Sequence, residues 1–474
     1  MTSYHINPAI LRAYDIRGEF GKTLFQLDAY FIAKAFATKV IRKTGNKNPT
    51  IAMAYDGRLS SPELQAQVQK GLMSAGVNVV NVGLGPSPKL YFAVRSMELD
   101  GGIMVTASHN PPKDNGFKMM YEKAPLFGAE IKELGNMAAS GDLIDDIKHG
   151  SVEKKDIEGK YIEKLLTAFE GGLLNSKNLK DLKIVWDTAN AAASEVTKKL
   201  VKKLPNENII INGDIDGNFP AHHPDPTLAE NLQQLIAEVK KHKADLGIAF
   251  DGDGDRVGAV DGQGRIIWGD QLMTLYAEDV LENNSGAEII ADVKASQSFF
   301  DAVEKLGGKP LMWKTGHSYI KNKLAETGAP LAGEMSGHIF FADRYYGYDD
   351  AVYAALRLIN YFVKNNIKPV AAVDKLPKTY ASKEYRVPVA EAIKEGIVKE
   401  IRAQVMASKA KVIEVDGIRV IEGGGWWLLR SSNTQSVLTI RAESNSESEL
   451  QKLITKINML LKPYHVSLSD DAGH

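Results

Sequence analysis

Cysteine is absent from the 474 residues. Disulfides, thiolate catalysis and cysteine-held zinc or iron–sulfur centres are thereby excluded. A surplus of either charge is absent too: 58 Lys and Arg face 59 Asp and Glu, for a net charge of -1. Nucleic acid and membrane surfaces are therefore not expected as partners, because the chain offers them no general basic field. No apolar run approaches the length that spans a bilayer. The opening residues, MTSYHINPAILRAYDIRGEF, lack the basic segment and apolar core of a signal peptide. A cytoplasmic protein is expected, monomeric or weakly homo-oligomeric.

What is present is organised as a repeat. At roughly 100–200 residues per domain, a chain of this length divides into two to four. Three segments share one plan: a Val/Ile-rich strand ending in aspartate, a helix-period stretch, then a second strand running into glycine. They are IAMAYDG…VVNVG with Asp56 and Gly83, LKIVWD…IIING with Asp187 and Gly213, and AEIIAD…LMWKTG with Asp292 and Gly316. Each is a βαβ unit and the seed of a mixed or parallel sheet. The fold class expected is α/β, three similar mixed domains over residues 1–155, 156–263 and 264–377. A smaller α+β domain follows over 378–474. In it KVIEVDGIRVIE, GWWLLRSS and SVLTIRAES read as three strands and ESELQKLITKINMLL as a closing helix.

The sharpest local signal is DGDGDR, where Asp251, Asp253 and Asp255 alternate with glycines ahead of Arg256. Alternation turns the carboxylates to one side of a tight loop, and carboxylate oxygens suit a hard cation, Mg²⁺ or Ca²⁺. An EF-hand is excluded: its sixth position would be Arg256 and its twelfth Gly262. DIDGN at Asp214–Asn218 fails likewise, with Phe219 in the sixth position. Three carboxylates and one divalent cation still sum to negative, so a phosphate ligand needs further cations. Arg256 is built into the loop, Lys118 is expected at a strand end, and Lys294 follows the third repeat's first strand. Strand ends are where α/β sheets bind ligands.

VTASHNPP places Ser108 beside His109 in a loop of turn formers. In extended chain, neighbours point to opposite sides, so His109 is expected to be badly placed as a base for Ser108. The Gly-x-Ser-x-Gly elbow of hydrolases is missing. GEMSGHIFF offers Glu334, Ser336 and His338, which strand alternation would bring to one side, as a set for vicinal hydroxyls. RSSNTQS offers Arg430, Ser432, Asn433 and Thr434, a phosphate cradle in principle.

In this order AYDIRG, TASHNPPKDNGFK, DGNFPAHHPDP, AFDGDGDR, KTGHSYIK, GEMSGHIFF and RSSNTQS resemble the α-D-phosphohexomutase family. The likeness is to its bacterial phosphomannomutase/phosphoglucomutase branch and covers nearly the whole chain. The resemblance implies four domains around a central cleft and a phosphorylated Ser108. It implies Mg²⁺ held by Asp251, Asp253 and Asp255, with Ser108 completing the set. His109, Lys118 and Arg256 would share the catalysis. Tyr14, Arg17, Lys294, His317 and His338 would line the substrate site, Glu334 and Ser336 would read sugar hydroxyls, and Arg430, Ser432, Asn433 and Thr434 would hold the substrate's phosphate. The implied partners are small-molecule sugar phosphates, with a hexose 1,6-bisphosphate as intermediate and activator. The reaction implied is reversible phosphoryl transfer between the 1- and 6-positions of mannose or glucose phosphates. Met335 favours that branch over phosphoglucosamine mutase, where glutamine commonly stands. Ser436 departs from the proline that many members carry there. A serine hydrolase and a non-catalytic sugar-phosphate-binding protein are the rival classes.

Overall fold

Runs such as IAMA, IVW and IIA are apolar at every position because parallel strands are covered on both faces. In the computed structural model, which describes residues 3–145, 148–408, 410–432 and 435–468, those strands are buried throughout. Each of the three repeats folds as a parallel βαβ unit. Thr50–Tyr55 pairs with Asn78–Leu84, Lys183–Asp187 with Glu207–Ile211, and Glu288–Asp292 with Lys309–Trp313.

The repeat extends further than its sequence signature. In every case a third parallel strand joins the far side of the first, and then hairpins into an antiparallel fourth. The pairs are Gly101–Val105 with Asp114–Tyr121, Leu246–Phe250 with Val257–Asp261, and Leu331–Gly333 with Ile339–Phe341. The hairpin connections are residues 106–113, 251–256 and 334–338. They hold Ser108, the three spaced aspartates and the Glu334–His338 group. One topological position therefore supplies the chemistry of three domains. Ile16–Glu19 and Val152–Lys154 flank the first sheet, and Ile266–Ile267 extends the second past Gly264.

The fourth sheet is antiparallel, with the helices Glu391–Ala407 and Glu447–Leu461 packed on it. KVIEVDGIRVIE is two strands rather than one, Lys411–Ile413 and Ile418–Glu422. Gly417 adopts φ +73° between them, so Asp-Gly acts as a turn signal inside an otherwise strand-like run. In Gly425–Ser431, period-two alternation divides the apolar residues between two duties. Trp427 and Leu429 enter the fourth domain's own core, while Trp426 and Leu428 pack on Val293 of the third.

Arg419, fully buried, locks that contact. Its guanidinium lies 3.6 Å from the Trp426 ring centre and donates to the carbonyls of Val293 (2.8 Å) and Ala295 (2.7 Å). Arg441 donates to the carbonyl of Lys294 between them. Among the described residues no helix is long and apolar enough to cross a membrane. Arg419→Leu is expected to destabilise the fourth domain by about 2–4 kcal/mol, through lost charged hydrogen bonds and the ring contact. Calorimetry should show an earlier, separate transition, and an unchanged profile would refute the clamp.

Candidate active site

The Ser108 loop is held by a residue far from it in sequence. Arg58, buried beside Asp56, donates to three loop carbonyls, Ser108 (2.7 Å), Asn110 (2.7 Å) and Pro111 (2.6 Å), and to that of Asp114 (2.9 Å) at the start of the next strand. Ser108 sits at φ +52°, a left-handed conformation that costs a non-glycine residue about 1–3 kcal/mol. This overturns one expectation. Because Ser108 is not extended, its side chain and that of His109 converge, and Oγ lies 3.1 Å from His109 Nδ1. The pair does not complete a hydrolase triad. The nearest acid, Asp225, stands 4.0 Å from His109 Nε2, and Ser108 Oγ donates instead to Asp251 Oδ2 at 2.9 Å. Burial, with Arg256 and Arg17 nearby, holds His109 well below its usual pKa, so it is neutral.

Gly252 explains how the two loops meet across domains. A Cβ there would stand 2.1 Å from the Ser108 carbonyl oxygen, so only glycine admits the approach. Gly254 takes φ +71°, and Asp251 Oδ1 accepts from the Asp255 (3.0 Å) and Arg256 (3.1 Å) amides, closing the turn. Asp251, Asp253 and Asp255 are fully buried, with one oxygen of each lying within 4.8 Å of the others. Lys118 bridges two of them, 2.6 Å from Asp253 Oδ2 and 2.5 Å from Asp255 Oδ2. It lies inside the strand Asp114–Tyr121 rather than at its end, and reaches the acids by its length. Burial alone would lower its pKa, but the two carboxylates hold it well above the ordinary lysine range.

One ammonium does not satisfy three buried carboxylates. The second oxygens of Asp253 and Asp255 have no hydrogen-bond partner, and burial with the neighbouring Asp255 and Asp253 charges pushes Asp251 well up. An all-oxygen set with orphaned atoms fits a hard divalent cation such as Mg²⁺, with Ser108 Oγ beside it. Asp255, His338 and Asp349 form a second group of metal-ligating spacing. Lys321 holds one oxygen of Asp349, donating to Oδ1 at 2.8 Å, while His338 Nδ1 lies 3.0 Å from Oδ2 as a charge contact without a hydrogen bond. Arg256 Nε donates to His338 Nε2 at 2.9 Å, which leaves the ring proton on Nδ1, facing Asp349.

A cleft lined from all four domains opens onto these loops. Tyr14 donates its hydroxyl to the Thr315 carbonyl (2.9 Å), and Arg17 donates to Asp15 and Asn110, both at 2.7 Å. Lys294 pairs with Glu384 at 2.9 Å, and His317 stacks on His338 with ring centres 5.3 Å apart. Glu334, Ser336 and His338 do share the cleft, but through a tight turn rather than a strand. Glu334 N donates to the His338 carbonyl and Gly337 has φ +85°. Glu334 also accepts from the Gly316 amide at 2.5 Å, leaving its other oxygen for the cleft. From the fourth domain, Arg430 is held by Asp416 at 2.9 Å and Ser432 by its carbonyl to Lys394 at 2.6 Å. Asn433 and Thr434 lie outside the described residues. Ser436, standing in for proline, donates to Glu391 at 3.0 Å, which tethers the loop by other means.

Four domain models of the phosphoglucomutase/phosphomannomutase family match the chain. The first three, described as alpha/beta/alpha domains I, II and III, cover residues 9–143, 159–264 and 268–380, and the C-terminal domain covers 358–458. The chain belongs to this family. A phosphomannomutase/phosphoglucomutase from Pseudomonas putida is 42% identical over 454 residues, 95% of this chain and 96% of the relative. A phosphoglucomutase from Neisseria gonorrhoeae is 39% identical, over 96% of each chain. The crystal structure of a phosphoglucomutase/phosphomannomutase family protein from Burkholderia thailandensis superposes with a TM-score of 0.89 at 40% identity, covering 99% of each chain.

Several groups of this phosphohexomutase cleft escaped the sequence reading. Glu384 and Arg386, paired at 2.9 Å, line it from the start of the strand Tyr385–Pro388, Glu384 just ahead of it, in a stretch with no glycine to mark it. Lys294 and Arg386 overcome burial to hold Glu384 well below the usual carboxylate range. Asp416 could have been found from its Asp-Gly turn. Asp349 lies next to the helix cap Asp350 and reads as part of it. Asp349→Asn is expected to free the His338 ring and lower kcat about 10–100-fold with little change in KM, since supporting partners of this kind carry such effects. Matched steady-state kinetics test it, and a purely stability-linked loss with unchanged kcat would count against the arrangement.

Proposed function

We propose that this family member moves a phosphoryl group reversibly between the 1- and 6-positions of a hexose phosphate, mannose, glucose or both. The observation that carries the reading is the meeting of Ser108 Oγ with Asp251 at 2.9 Å, beside a cleft that His109 and Arg256 of the same two loops line together with basic groups of the other domains. Ser108 serves as the carrier. Its phosphoryl group passes to the free hydroxyl of the bound sugar phosphate, the O–P bond to serine breaking as the bond to the sugar oxygen forms. The product is a hexose 1,6-bisphosphate, which turns over in the cleft and returns its other phosphoryl group to Ser108.

Phosphoryl transfer is mainly positioning and charge stabilisation. Asp251, Asp253 and Asp255 would hold Mg²⁺, which when bound would supply positive charge to the phosphoryl oxygens. Neutral His109 is suited to take the proton of the attacking hydroxyl, while Lys118, held charged, stabilises rather than accepts. Arg430 and Ser432 hold the distal phosphate. Glu334 and Ser336 read hydroxyls common to both ring orientations, C3 and C4, which leaves C2 unread and both mannose and glucose acceptable.

A coupled assay with mannose 1-phosphate and glucose 1-phosphate, primed with a 1,6-bisphosphate, tests the reading. Ser108→Ala is expected to lose at least about a thousandfold in turnover, as removal of a covalent carrier does. Near-wild-type activity in that variant would sink the carrier role. Chelation of Mg²⁺ is expected to stop turnover and its replacement to restore it. Rates indifferent to chelator would refute the metal assignment.

A further inference from the structure

A second cavity of about 370 Å³ lies behind the cleft, between the first and third domains. Its walls are the strands Asp114–Tyr121 and Ala124–Pro125, the helices Ser87–Ser96 and His317–Thr327, and the turn at residues 342–348. Four cations line it, Arg95, Lys118, Lys123 and Lys321, and no Asp or Glu does. Two of the four are already neutralised. Lys118 is bound to Asp253 and Asp255, and Lys321 to Asp349.

The other two are not. Among the described residues no carboxylate comes within ion-pair distance of Arg95 or Lys123. The Arg95 guanidinium is more than half buried, makes one bond to the Lys123 carbonyl at 3.1 Å, and leaves a buried Nε without a partner. Burial lowers its pKa, offset only in part by the hydroxyls of Tyr348 and Tyr346. Ser318, fully buried on the opposite wall, has a hydroxyl with no partner either. An uncompensated guanidinium and an orphaned hydroxyl facing one space cost free energy unless a ligand satisfies them. The remaining lining, Tyr91, Met119 and Tyr346 among it, is broad and largely apolar. A volume of this size falls within the usual range of about 300–1,000 Å³ for small-molecule sites.

We propose that this cavity is a second anion site, binding the phosphate group of a small molecule on Arg95, Lys123 and Ser318. It is distinct from the catalytic cleft, yet Tyr14 and His317 line both. Occupancy is thus placed to alter the cleft from behind.

Equilibrium binding of radiolabelled inorganic phosphate, measured on an Arg430→Ala variant that lacks the catalytic cleft's phosphate anchor, tests the proposal. One saturable phosphate per chain is expected to remain. Arg95→Gln combined with Lys123→Gln should weaken it at least tenfold, while turnover of that double variant with Arg430 intact, measured without phosphate, stays as in the wild type. Lys123→Gln alone, at an exposed position, should weaken it less and guards against misfolding of the double variant. Absence of saturable phosphate binding in the Arg430→Ala variant would overturn the site, as would unchanged binding when Arg95→Gln and Lys123→Gln are added to it. Competition by mannose 6-phosphate then separates the two sources of the group: displacement at lower concentration than free phosphate assigns a phosphorylated sugar, and its failure assigns the free ion. Loss of this site leaves the mutase reading untouched, because the coupled assay tests that separately.

Discussion

The cleft is built around one close approach, the backbone of Gly252 against the carbonyl of Ser108. At this point two hairpin connections from different domains come within reach of each other, and a single methyl group would part them. The contact sets the Ser108 hydroxyl on Asp251 and brings Lys118 over the acids. A third connection of the same kind docks beside it, with Val257 N donating to the Gly337 carbonyl at 3.1 Å. The same loop of a repeated unit is used three times with three different contents. The cleft is thereby a product of how the domains abut as much as of any one of them.

Charge explains why those contents are so polar. Three buried aspartates in one turn are tolerable only with cations close by. Lys118 and Arg256 approach them, Lys321 and His338 absorb Asp349, and Lys294 with Arg386 absorbs Glu384. Each acid therefore answers to groups from another part of the chain, and the balance left over is what an anionic substrate and a divalent cation complete. His109 is pushed the other way, toward neutrality, by the arginines that gather to meet an anion.

Much of this was legible in the chain. Period-two and helical patterns marked the βαβ units, and the spacing DGDGDR marked convergent carboxylates. What stayed hidden has identifiable causes. The hairpin that completes each unit is carried by short strands such as LAG and IFF, too brief to show a period. The meeting of Ser108 with His109 depends on one residue leaving the extended region, which no alternation rule registers. Arg58 acts by binding a loop distant in sequence, so nothing local distinguishes it from an ordinary surface charge. Glu334, Ser336 and His338 line one cleft, brought together by a glycine turn and not by the strand alternation expected of them.

The way the fourth domain grips the third bears on how such a chain can drift over generations. Arg419 and Arg441 bind the main-chain carbonyls of Val293, Lys294 and Ala295. A grip on the backbone is indifferent to the side chains that the gripped residues carry. Selection can therefore alter Val293 and Ala295 within the limits of volume, or exchange the Lys294 side chain, without loosening the joint. The two arginines, by contrast, make those bonds with their own guanidinium groups and lose them on any change to an uncharged residue.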